Sequence, residues 1–66
     1  MNTQQLEIAV KTAKIIKRKF DAGRVYVLDN SDGQVSDRKQ SFVLATEAEF
    51  SRHEYIGCEE FIARVV

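Results

Sequence analysis

Apolar residues recur along the first third of the chain at spacings of three and four. Leu6, Ala9, Val10, Ala13, Ile16 and Phe20 fall within about 120° of arc on a helical wheel, the stripe that a core-facing helix presents. No glycine or proline interrupts the run, Thr3 suits an N-cap, and Gly23 stands where a left-handed residue commonly closes a helix. The pattern predicts a helix from Thr3 to Ala22. Ile8, Ile15 and Ala22, spaced by seven, fall outside the main stripe and form a second, narrower one.

The periodicity then changes. RVYVLDN, Arg24 to Asn30, is rich in β-branched and aromatic residues and reads as a strand, and SFVLA, Ser41 to Ala45, reads as the next. Asn30, Ser31, Asp32 and Gly33 supply turn chemistry between them. The polar stretch QVSDRKQ either extends the hairpin or forms its tip, and a hairpin with a long loop is the expected form. Thr46 followed by Glu49 fits a capping box, predicting a helix from Glu47 that carries Phe50, Tyr55 and Ile56 before Gly57 ends it.

The last segment, CEEFIARVV, supports two readings. Cys58, Phe61, Ile62, Val65 and Val66 match helical spacing, while the β-branched content suits a third strand. Periodicity favours the helix. The expected fold class is therefore α+β, one small domain over residues 1–66: an N-terminal helix, an antiparallel hairpin, then one or two short helices, with strand as the alternative for the last. Phe20, Val27, Phe42, Leu44, Phe50 and Phe61 are the expected core.

Composition narrows the classes. A chain of 66 residues buries only about 60% of the surface its unfolded form exposes, so packing against a partner subunit is one route to stability. One cysteine excludes an intramolecular disulfide and, with one histidine, makes a poor donor set for a metal. No basic region precedes a long apolar run and no window approaches a membrane span. The expected setting is cytoplasmic, without membrane, metal or cofactor. Net charge is zero, yet residues 1–24 carry six cations against Glu7 and Asp21, a net +4, which residues 25–66 offset.

Candidate chemistry is sparse. His53 and Cys58 lack a readable oxyanion hole or orienting third group, and LDNSDGQ fails as a calcium loop because Leu28 and Lys39 would occupy its anchoring positions. No enzyme is expected. Lys11, Lys14, Lys17 and Arg18 share one face of the first helix, a stripe able to follow phosphates in a nucleic acid. Glu7 lies within that face and Asp21 lies four residues beyond Lys17, spacings that suit helix ion pairs and dilute its field.

The second apolar stripe needs cover, from the last segment or from another chain. The leading expectation is a small, non-catalytic protein-binding module, an adaptor or modulator, with a homodimer as one form. Its contact residues would be Ile8 and Ile15 flanked by Lys11 and Lys19, the lysines facing Glu59 or Glu60 of a second copy. Nucleic-acid binding through Lys11, Lys14, Lys17 and Arg18 is the alternative.

Overall fold

A computed structural model describes residues 3–66. Helix α1 spans Thr3–Phe20, followed by strands β1 (Val25–Asp29) and β2 (Phe42–Thr46), helix α2 (Glu47–Ser51), a 3-10 turn (Glu59–Phe61) and strand β3 (Ile62–Val65). The three strands form one antiparallel sheet in the order β2-β1-β3. The fold is α+β, with the hairpin and its long loop as the sequence predicts.

Alternation along β1 divides the interior into two layers. Val25 and Val27 point to the face covered by α1, where Ala13 is fully buried and Leu6, Ala9, Val10, Ile16, Phe42 and Leu44 pack around them. Leu28, Val43 and Ala45 point to the opposite face, covered by Tyr55, Phe50, Cys58 and Val35. Ala13 at the centre of its stripe lets the helix backbone approach the sheet closely.

Three expectations are corrected. The last segment is a 3-10 turn and a strand, because β1 offers a second edge to β-branched residues, and a nine-residue helix with no side-chain cap at Cys58 is marginal. Helix α2 stops at Ser51, well before Gly57: His53 takes a left-handed φ of 61°, its N–H bonds the Phe50 carbonyl, and the Glu54 N–H reaches back to Glu49. This is a Schellman closure on a non-glycine residue. Phe20 is not core but 66% exposed: it is the last residue of α1, beside the left-handed Asp21 (φ 48°) at which the helix closes, and it packs in neither cluster. Of the other expected core residues, Val27 is fully buried, Phe42, Leu44 and Phe50 are partly buried against the two clusters, and Phe61 is partly buried outside both.

Residues 31–40 are organised by one buried side chain. Asn30 is 5% exposed; its Nδ2 donates to the carbonyls of Arg38 (3.2 Å) and Gln40 (3.1 Å), with a longer contact to Val35, and its Oδ1 accepts the Val35 N–H at 2.8 Å. The polar stretch is thus wrapped around a single amide.

The two sheet edges differ. Asn30 N–H bonds Ser41 O and Glu47 N–H bonds Arg24 O, so the register places the inward bonds of β2 at Val43 and Ala45. The N–H and C=O of Phe42 and Leu44 therefore face outward. On the other side a register shift at Val27/Leu28 leaves Ala63 as the extra residue of a bulge, and Arg64 charges that strand.

Candidate functional site

The wheel that buries Ala13 turns Ile8 and Ile15 away from the sheet, and they are 61% and 58% exposed. The last segment does not cover them. It joins the β1 edge on the other flank of α1, where Arg64 shares a hollow with Leu6, Val10, Lys11 and Lys14. Ala22, the third member of the expected stripe, packs instead with the cluster under α1, because it lies beyond the left-handed turn at Asp21. Ile8 borders a different hollow, with Ala9, Gln40 and Phe42 at the β2 edge. The Lys19 ammonium lies 5.7 Å from the centroid of the exposed Phe20 ring.

Lys11, Lys14, Lys17 and Arg18 are all exposed. The ion pairs expected from Glu7 to Lys11 and from Lys17 to Asp21 do not form; among the described residues the ion pair is Arg52 Nε to Glu54 Oε2, at 2.5 Å. Arg64 extends the basic face onto β3, which helical spacing alone did not reveal. The opposite layer, residues 47–61, holds Glu47, Glu49, Glu54, Glu59 and Glu60 against Arg52 alone. Charge asymmetry along the chain thus becomes asymmetry across the sheet.

His53 serves as the closing residue of α2 and is exposed, while Cys58 packs beside Tyr55. Among the described residues no group of three or more His, Cys, Asp or Glu is placed to hold a metal ion, and no helix is long and apolar enough to cross a membrane. Two ionisable groups are shifted. The Asp29 carboxylate accepts the Ser31 hydroxyl and the Ser31 N–H, which holds it below its ordinary value; burial, with Glu49 nearby, pushes the Tyr55 phenol up. Both shifts have structural causes away from α1.

No protein-family model, curated protein or solved structure matches this chain.

Proposed function

We propose that this chain is a small non-catalytic protein-binding module that docks through the outward side of α1, with Ile8 and Ile15 as apolar anchors and Lys11 and Lys19 beside them. The observation that carries it is the exposure of both isoleucines on the helix face turned away from the sheet that α1 covers. Burying each stabilises a complex by about 1.5–3 kcal/mol before the cost of association. Cytoplasmic residence is part of this proposal.

Because both side chains are free of the interior, Ile8→Ser with Ile15→Ser separates docking from folding. The expected outcome is an unchanged circular dichroism spectrum and melting temperature with loss of association in sedimentation equilibrium. The contrary outcome is a wild-type chain that sediments as a monomer at about millimolar concentration and captures from host extract nothing that the double variant fails to capture.

A second reading is favoured by Arg64. Its place beside Lys11 and Lys14, in a hollow that Glu7 also lines, extends the basic face to a second element, as phosphate binding along Lys11, Lys14, Lys17 and Arg18 would use. Nucleic-acid binding would then fall steeply with salt and be lost in Lys14→Glu with Arg18→Glu. The protein-binding reading expects only the weak non-specific level, about 10⁻⁴ to 10⁻⁶ M at physiological salt.

A further inference from the structure

We propose that the partner is a second copy of this chain, joined through β2, whose open edge adds the β2 of the other copy in antiparallel register about a two-fold axis at Val43. This deepens the protein-binding reading and rests on it. Phe42 and Leu44 turn two N–H and two C=O groups outward, and among the described residues no backbone–backbone bond uses them. They are two residues apart, the spacing at which an antiparallel neighbour exchanges paired bonds. Setting Phe42 opposite Leu44 of the second copy, and Leu44 opposite its Phe42, satisfies all four groups on each strand.

The neighbouring registers are poorer. Pairing Leu44 with itself would need the Thr46 N–H, which already donates to the Glu49 carboxylate at 2.8 Å. Pairing Phe42 with itself runs off the strand at Gln40. In the favoured register no charged residue of β2 meets its like, because Phe42–Thr46 carries no charge.

The contrast with β3 favours β2 as the joining edge. A bulge and Arg64 interrupt the outer side of β3, devices that discourage edge pairing, whereas β2 has an unbroken five-residue register with no proline, charge or bulge. Ile8 shares its hollow with Phe42, so a chain added at this edge comes up beside Ile8 as well. One contact would then satisfy the open ladder and cover part of the exposed helix face, and the product is a continuous six-stranded sheet.

Hydrogen–deuterium exchange at single-amide resolution tests the seam in the wild-type chain, with sedimentation reporting mass on the same samples. On concentration toward about millimolar, the Phe42 and Leu44 amides should slow at least about tenfold as the dimer forms, while Val43 and Ala45, bonded to β1 in either state, slow no more than the rest of the core. A dimer in which Phe42 and Leu44 exchange as fast as in the monomer overturns the seam and leaves the Ile8 and Ile15 docking face standing. A monomer throughout that range overturns the second copy as partner.

Discussion

Leu28 and Phe20 are both large apolar residues on elements the sequence predicts, and they have opposite fates. Leu28 is 1% exposed at the centre of the sheet, and Leu28→Ala should lower stability by about 2–5 kcal/mol, a large share of what so small a fold possesses. Phe20→Ala removes a ring that already stands in solvent and should cost less than about 1 kcal/mol by chemical denaturation. Asn30 repeats the lesson with a polar group. Asn30→Ala leaves a partly buried Val35 N–H and two loop carbonyls without their partner, a loss of about 1–3 kcal/mol, and Asn30→Asp should not rescue it because a carboxylate cannot donate to Arg38 and Gln40. The titrating residues set the pH limits. Asp29, with its folded value lowered, contributes stability present above the ordinary carboxylate range and lost as pH falls through that lower value. Tyr55, with its value raised above 10.0, contributes stability fully present below 10.0 and lost as pH rises through its folded value. Thermal melts across pH should show both losses, the acid one reduced in Asp29→Asn and the alkaline one in Tyr55→Phe.

At the scale of elements, both helices close on a left-handed residue that is not glycine. The Ala22 N–H reaches the Lys17 carbonyl past Asp21, and Glu54 reaches Glu49 past His53. A side chain at such a φ is strained, so Asp21→Gly and His53→Gly should each raise stability by about 0.5–1 kcal/mol, additively because they close different helices. Each would lift the melting temperature by about 2–8 °C. These closures also explain what was legible in the sequence. The body of α1, the strands β1 and β2 and the Thr46–Glu49 capping box were readable because periodicity, β-branching and capping are local signals; the box forms with Glu49 N–H to Thr46 Oγ1 at 3.2 Å. The ends of both helices were not, because Asp21 and His53 announce no left-handed turn. Nor was β3: Ile62, Val65 and Val66 carry helical spacing by coincidence, and only the free side of β1 makes them a strand. Ile8 and Ile15 could be placed on an outer stripe from the wheel, whereas Arg64 beside Lys14 and the outward groups of Phe42 and Leu44 required the topology.

For the whole molecule, the sheet separates a basic helix from an acidic layer and leaves β2 as the edge without a bulge or charge. On that side Ile8 in the hollow, the outward backbone of Phe42 and Leu44, and the uncharged strand lie together, where the proposed two-fold seam would run. It is tested most directly by mixing isotope-labelled with unlabelled chain at a concentration where sedimentation gives the dimer mass, and recording only the nuclear Overhauser effects that pass between copies. A dimer joined at β2 gives contacts from the Leu44 methyls of one copy to the Phe42 ring of the other and between the Val43 methyls of the two. A dimer whose intermolecular contacts omit β2 and arise from β3 or from the basic face of α1 would contradict it.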